Sequence, residues 1–118
     1  MTTDPKPIPD TEPHPVNELS DVVHHRARLG ILTVLSQTET VTFQYLKSLL
    51  SLSDGNLSRH VDVLSEEGLV SVKKGYEGKR PRTWIAITPL GYAALNSEMT
   101  ALRELVTQFE RTSEPKQH

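Results

Sequence analysis

The first half of the chain shows helical apolar periodicity interrupted by short polar breaks. From about Asn17 to Ser36, apolar residues recur every three or four positions and predict a first helix, although Gly30 lowers the local helix propensity. A β-branched stretch at residues 41–43 predicts a brief strand. One apolar face then recurs over two to three turns and predicts a second helix. The apolar positions of these two helices are Leu19, Val22, Val23, Leu29, Ile31, Leu32 and Leu35, followed by Phe43, Leu46, Leu49 and Leu50.

A third helix, from residue 53 to residue 67, is predicted between two boundary signals. Ser53 can cap its N-terminus, and Gly68 can end it in the left-handed conformation. At about 100° per residue, Leu57, Val61 and Leu64 fall on one narrow arc and predict its buried side. The opposite side is polar, especially in the N-terminal half of the helix.

A hairpin and a long helix complete the pattern. Residues 69–74 and 83–87 have the composition of strands, and residues 75–82 (GYEGKRPR) form a basic loop between them. We expect Trp84 to anchor the second strand in the core. Thr88 and Pro89 start the last helix, because Thr can cap it and Pro is tolerated at the first helical position. This helix can extend to about residue 111.

The order helix, short strand, helix, helix, hairpin, helix is that of a winged helix-turn-helix. We therefore predict a mainly helical α+β fold with a two-stranded wing and a long C-terminal dimerisation helix at about residues 88–111. The folded domain is predicted to span residues 17–112. Residues 1–16 hold five of the eight prolines and predict a disordered arm, because such a segment buries little apolar surface. Residues 113–118 predict a frayed tail.

Composition excludes several classes of function. The chain has 118 residues, 36% hydrophobic and 24% charged, which suits one modest globular core. It has no cysteine, which excludes disulfides, thiolate metal sites and cysteine nucleophiles. No apolar run is long enough to span a bilayer, and the N-terminus lacks the pattern of a secretory signal. We therefore expect a cytoplasmic, nucleoid-associated protein.

The charges are distributed unevenly along the chain. The formal net charge is −2, but residues 69–87 carry five cations and one acid, a local balance of +4, so the rest sums to −6. Because phosphate neutralisation supplies most non-specific DNA affinity, this basic hairpin indicates nucleic-acid contact. Tyr76 either packs along a sugar or a base, or shields the hairpin backbone. The candidate wing contacts are Lys73, Lys74, Tyr76, Lys79, Arg80 and Arg82.

The N-terminal half of the third helix has the chemistry of DNA readout. Arginine can pair with guanine and asparagine with adenine, while a serine hydroxyl and a helix N-terminus can hold phosphate. The alternative is an ordinary exposed helix, in which Gly55 only serves a tight turn. We expect the acidic C-terminal half, with Asp62 and Glu66, to tilt away from the groove. The candidate contacts are Ser53, Gly55, Asn56, Ser58, Arg59 and His60.

The last helix carries a heptad seam that begins at Tyr92, with apolar residues spaced 3, 4, 3, 4, 3. A helix of about 24 residues is about 36 Å long, longer than so small a domain can cover alone. Leu90, Ala94 and Leu95 are expected to pack on the first helix of the same chain. From Met99 onward, we expect a second copy of the chain to cover the seam. The predicted dimer interface comprises Leu19, Val22, Val23, Met99, Leu102, Val106 and Phe109.

Residues 20–110 resemble the compact winged-helix transcriptional regulators related to the ArsR and MarR families. The resemblance is carried by the order of short motifs: Leu57-Ser58-Arg59-His60 with Leu64, Glu67-Gly68-Leu69-Val70, Lys73, residues 78–83 (GKRPRT), and Thr88 with Gly91. It implies a homodimeric DNA-binding regulator whose third helix enters the major groove while the wing approaches the backbone or minor groove. In such families Arg28 has a structural role. The lack of a cysteine pair separates this chain from the thiolate metal sensors.

These observations predict a sequence-specific regulator that binds double-stranded DNA as a homodimer, most simply a repressor on an inverted-repeat operator. The alternative is a winged-helix protein–protein interaction module without DNA readout, which the basic hairpin disfavours. No enzyme motif is found, since Ser58 and His60 diverge on their helix. His14, His24 and His25 are not expected to bind a metal. No cofactor is predicted, and the sequence leaves a small-molecule effector open.

Overall fold

A computed structural model describes residues 14–113 and confirms the predicted mainly helical α+β winged helix-turn-helix. The described residues form four α-helices, a 3-10 helix and a three-stranded antiparallel sheet. In chain order the elements are a 3-10 helix at Pro15–Glu18, α1 at Arg26–Ser36, β1 at Val41–Thr42, α2 at Phe43–Leu50, α3 at Asp54–Glu66, β2 at Val70–Glu77, β3 at Arg80–Ile87 and α4 at Pro89–Ser113. Within these residues, no helix has the length and apolar character needed to cross a bilayer.

The sheet has the order β1-β3-β2, so the predicted short strand β1 lies beside the hairpin. Val41 and Val72 flank Ile85 from its two sides. The hairpin strands are longer than predicted, because a two-residue turn at Gly78 and Lys79 joins them and most of the basic loop is paired. Gly78 has a φ of 63°, which suits the first position of such a turn.

One hydrophobic core lies between α1, α2, α3, the sheet and the first half of α4. The predicted stripe of α3 is confirmed, since Leu57, Val61 and Leu64 are all buried. The other fully buried apolar side chains include Ile31, Leu32, Leu35, Leu46 and Ile85. The core therefore fixes α3 by one side and leaves its polar side to solvent.

The prediction of one continuous helix from Asn17 to Ser36 is wrong in its first half. A 3-10 helix and a turn precede α1, and the hydroxyl of Ser20 accepts hydrogen bonds from the backbone N–H groups of Val22 and Val23. Turns of this kind also bury one side of the chain. Apolar residues therefore recur at helical spacing in a segment that is not an α-helix. Pro15, which the arm was predicted to contain, is buried in the 3-10 helix. Residues 1–13 and 114–118 of the predicted arm and tail lie outside the described residues.

The ends of α3 and the start of α4 follow the predicted capping. Ser53 caps α3 by accepting from Asn56 N–H, and Gly68, at φ 77°, ends it with the paired hydrogen bonds of a left-handed cap. The hydroxyl of Thr88 accepts from Gly91 N–H and donates to the carbonyl of Gly68. A Cβ at Gly91 would stand 2.0 Å from the carbonyl oxygen of Leu69, so only glycine lets α4 approach the end of α3 this closely.

Two predicted core positions are corrected by the structure. Trp84 is half-buried and packs over Gly75 on the outer face of the hairpin, whereas its neighbour Ile85 is the core residue. Successive residues of a strand face opposite sides, so only one of the two can point inward. Leu90 is also exposed rather than packed on α1, because it lies in the first turn of α4 above Gly68.

Candidate nucleic-acid interface

The N-terminal half of α3 projects from the domain with its polar side chains in solvent. Asn56, Ser58 and Arg59 are exposed, and His60 is half-buried. The helix begins after a three-residue turn that follows α2, and Lys47 of α2 pairs with Asp54 at 3.0 Å. Ser53, another predicted contact, uses its hydroxyl as the acceptor of the N-cap. The turn, the ion pair with α2 and the N-cap therefore fix the start of α3, and its polar N-terminal end is exposed to solvent.

Gly55 occupies an open position in the first turn of α3. A Cβ built there would have no heavy atom within 4 Å, and its φ is not positive. The protein itself therefore does not require glycine at this site, which argues against the tight-turn alternative. The missing side chain leaves room for the backbone of α3 to be approached closely from outside.

A cleft of about 360 Å³ separates α3 from the wing. Ser58 and Asp62 line it from α3, and Lys74 and Thr83 line it from the hairpin. Asp62, which was expected to tilt away from the groove, therefore lines the same cleft as a wing lysine. Asn56, Arg59 and Glu66 remain exposed on the rest of the polar side of the helix.

The predicted wing residues divide between the two faces of the hairpin. Lys74 lies on the face that packs toward α3, whereas Lys73 lies with Trp84 on the outer face. Lys79 and Arg80 are exposed at the tip, and the ring of Tyr76 is 72% exposed. Arg82 is half-buried and donates from Nε to Oε1 of Glu77 at 3.0 Å. Lys74 therefore lies near α3, Lys79 and Arg80 are exposed at the tip of the hairpin, and Arg82 is paired with Glu77.

A second basic cluster, which the sequence analysis missed, lies at the opposite flank of α3. The rings of His25 and His60 contact each other, with centroids 4.5 Å apart and planes tilted by 47°. His25 precedes α1 and caps it, its Nδ1 accepting from Ala27 N–H at 3.2 Å. Burial, together with the electrostatic influence of His25, Arg28 and Arg59, lowers the pKa of His60 below its ordinary value. Sequence separation of 35 residues hid this pairing from periodicity arguments.

Arg28 completes this cluster without an acidic partner. Its Nε is buried and has no hydrogen-bond partner within residues 14–113. The ion pairs of that part of the chain join His24 to Glu98, Lys47 to Asp54 and Arg82 to Glu77, so none reaches the cluster. The structural role expected for Arg28 is therefore not that of an internal ion pair.

The predicted dimer residues fall into three groups by exposure. Val106 and Phe109 are 54% and 70% exposed on the last turns of α4. Leu19, Val22, Met99 and Leu102 are half-buried. Val23 is only 1% exposed and belongs to the core of its own chain, so its assignment to an intermolecular surface is corrected. The remaining positions form an apolar surface that continues past the end of the core.

A buried carboxylate holds the N-terminal segment against α4. Glu98 is 1% exposed; its Oε1 accepts from Ser20 N–H at 2.9 Å, and its Oε2 lies 2.7 Å from Nδ1 of His24. We call this set of three residues the Glu98 clamp. Because Leu19 precedes Ser20 and Val22 N–H donates to its hydroxyl, the clamp fixes the two remaining predicted interface positions that lie outside α4.

This chain is similar in sequence to a known protein family and to a protein from another organism. Residues 27–106 match the family model described as the winged helix DNA-binding domain. The chain is 37% identical over 83 residues to an uncharacterized protein of Methanocaldococcus jannaschii, an alignment that covers 70% of this chain and 90% of that protein.

Solved structures with the same fold include two transcriptional regulators. One is a transcriptional regulator homologue from Pyrococcus horikoshii, with a TM-score of 0.76 and 28% identity over 81% of this chain and 97% of the other. The second is a MarR-family transcriptional regulator from Silicibacter pomeroyi, with a TM-score of 0.59 and 20% identity over 86% of this chain and 68% of the other. The second likeness is one of fold alone.

Proposed function

The chain belongs to the winged helix DNA-binding domain family, and we propose that it is a transcriptional regulator that binds double-stranded DNA as a homodimer. Family membership confirms the resemblance to winged-helix regulators that the sequence motifs carry. The similar Pyrococcus horikoshii protein, described as a transcriptional regulator homologue, supports the regulatory role.

The observation that carries the proposal is the exposed polar end of α3 beside a basic hairpin. Asn56 and Arg59 are exposed in the N-terminal half of α3, the part of a recognition helix that contacts base edges. Arg59 can donate twice to guanine, and Asn56 can pair with adenine. Gly55 adds an open approach beside them.

The wing supplies phosphate contacts that position α3 without reading sequence. Lys79 and Arg80 stand exposed at the turn, and Lys74 faces the cleft beside α3. Such contacts raise affinity for all sequences and make it fall with salt, because counterions are released from DNA. Lys73 and Trp84, on the outer face, contribute less to this contact.

The second half of α4 supports a homodimer. Val106 and Phe109 are large, apolar and exposed, and they continue the line of Met99 and Leu102. Burying this line against its copy removes apolar area from water on both chains. A two-fold axis through the pair would place two α3 helices on the same DNA face, about one helical turn apart.

We propose that the dimer is a repressor that occupies an inverted-repeat operator and blocks access to a promoter. The test is selection of bound genomic fragments in vitro, followed by footprinting of the enriched sites. We expect two protected segments related by a dyad, with centres about one helical turn apart. Enriched sites without symmetry would contradict the dimer on an inverted repeat, and a lack of any enrichment would contradict the regulator.

A further inference from the structure

We propose that His25, Arg28 and His60 form a phosphate-binding site at the flank of α3 that lies opposite the wing. We call these three residues the phosphate corner. The inference rests on the proposed function in that the expected ligand is a backbone phosphate of the DNA held by α3. The same chemistry would also accept a free phosphate group, and the experiment below separates the two sources.

The geometry of the corner presents hydrogen-bond donors outward. Nδ1 of His25 accepts from Ala27 N–H, so the neutral ring carries its hydrogen on Nε2, the nitrogen directed away from the cap. The centroid of the His60 ring lies 4.5 Å from that of His25, and His25 is exposed. The two imidazoles, one at the N-cap of α1 and one on α3, are therefore close enough to contact a single anion.

Arg28 has neither a hydrogen-bond acceptor for its Nε nor an acidic partner in the described part of the chain. Its guanidinium has a buried Nε with no acceptor within residues 14–113, although buried donors are normally satisfied. No carboxylate of the described chain pairs with Arg28, Arg59, His25 or His60. A phosphate supplies the missing negative charge, and the half-buried Arg28, which has no acidic partner to hold it, can turn its guanidinium outward to pair with the phosphate oxygens.

The location of the corner fits a duplex whose major groove holds α3. Ser58 lies on the flank of α3 that faces the wing, and His60, two residues later, lies about 160° away around the helix on the flank that faces α1. A helix in the major groove has one phosphate strand on each side. The wing therefore reaches one strand, and the phosphate corner reaches the other.

The corner also links DNA binding to proton uptake at His60. In the unbound protein, burial and the basic groups around His60, namely His25 at the N-cap of α1, Arg28 of α1 and Arg59 of α3, lower its pKa. A bound phosphate opposes these charges and raises that pKa. The complex then holds the proton more tightly than the unbound protein, so affinity rises as pH falls through the raised pKa and levels off below the lowered one.

The test measures duplex affinity by fluorescence anisotropy at pH 6 and pH 8, at constant ionic strength. For the wild type we expect affinity at pH 6 to exceed that at pH 8 by roughly three- to tenfold, the effect of a pKa change of up to about one unit. His60→Gln removes this difference, and Arg28→Gln weakens binding by about fivefold or more at both pH values. His25→Asn keeps the cap acceptor and loses the outward donor, so it weakens binding without unfolding α1.

Lys79→Gln is the matched control, because it removes a phosphate contact on the other flank. It should weaken binding equally at both pH values and leave their ratio unchanged. If His60→Gln keeps the wild-type ratio while Arg28→Gln keeps the wild-type affinity, the phosphate corner is wrong although DNA binding stands.

A titration of the wild type with inorganic phosphate tests the phosphate corner independently of DNA binding. We expect saturable changes in the imidazole NMR signals of His25 and His60 but not of His24, which Glu98 already engages. Equal changes at all three, or none, would overturn the site. Changes confined to His25 and His60 in a protein that binds no duplex would refute the regulator and keep the corner, with a free phosphate ligand.

Discussion

Two surfaces of this chain are unsatisfied in different ways. The recognition surface, formed by Asn56, Ser58 and Arg59 of α3 with Lys79 and Arg80 of the wing, exposes polar and cationic groups. The apolar stripe of α4, formed by Met99, Leu102, Val106 and Phe109, exposes hydrocarbon as it leaves the core. What each surface lacks indicates its partner, an anion for the first and a matching apolar surface for the second.

The difference has an experimental signature. Contacts of the recognition surface with phosphate weaken as salt rises, since condensed counterions compete for the DNA. Association through the apolar stripe depends little on salt, because it is driven by removal of apolar area from water. Dimerisation and DNA binding should therefore respond differently to the same change of buffer.

The largest expected effect is on the apolar stripe. Replacing Val106 and Phe109 together by Glu places charges in the proposed interface between the two copies. We expect dimerisation to weaken by about a thousandfold, on the order of 4 kcal/mol, because apolar side chains of both chains lose their cover. Analytical ultracentrifugation measures the change. Thr107→Glu adds charge at an exposed position off the stripe and should leave the dimer intact.

The next effect concerns the Glu98 clamp, which ties the N-terminal segment to α4. Glu98→Ala removes the acceptor of Ser20 N–H and the partner of His24 and leaves a cavity. We expect the free energy of unfolding to fall by about 2–4 kcal/mol in a denaturant titration. Glu98→Gln keeps an oxygen for Ser20 and should cost less. Equal stability of Glu98→Ala and the wild type would show that the clamp is not stabilising.

A smaller effect separates base readout from phosphate contact within the recognition surface. Arg59→Ala should cost about 1–3 kcal/mol at the operator and relax base preference, whereas Lys79→Ala should weaken all sequences alike. Competition binding with operator and random duplexes measures both. If Arg59→Ala weakened the two duplexes equally, Arg59 would contact phosphate only.

The smallest effect has opposite signs for folding and binding. Gly55→Ala meets no atom of the protein and improves helix propensity, so it should stabilise the fold by about 0.5–1 kcal/mol. Its methyl group would stand where the proposed function brings DNA close to α3, so operator affinity should fall. Thermal unfolding and anisotropy, made on one preparation, test this pair of signs. If Gly55→Ala raised both the stability and the operator affinity, Gly55 would lie outside the DNA interface.

Local signals made α3 and the start of α4 predictable. Ser53, Gly68 and Thr88 each satisfy backbone groups within a few residues, and the stripe of Leu57 needs only the helical period. The same helical period also predicted which side of α3 is polar. The candidate contacts of α3 were therefore placed by sequence on the part of the helix outside the core, whereas the split of Lys73 from Lys74 required the sheet register.

Long-range contacts were beyond the reach of the pattern. Ser20 and Glu98 are 78 residues apart, and nothing in either neighbourhood indicates that a carboxylate will be buried there. The contact between the rings of His25 and His60 depends in the same way on how α1 crosses α3. The position of Trp84 was predictable in principle from strand alternation, but the large apolar side chain pointed to the core.

Binding of duplex DNA through α3 and the wing is tested most directly by the salt dependence of affinity. The logarithm of the association constant for a random duplex should fall linearly with the logarithm of salt concentration, by about 0.9 for each phosphate neutralised. The double variant Lys79→Ala and Arg80→Ala should give a shallower slope, with the dimer unchanged. Binding that does not depend on salt, or the same slope in both proteins, would contradict the DNA interface and favour a protein-interaction module.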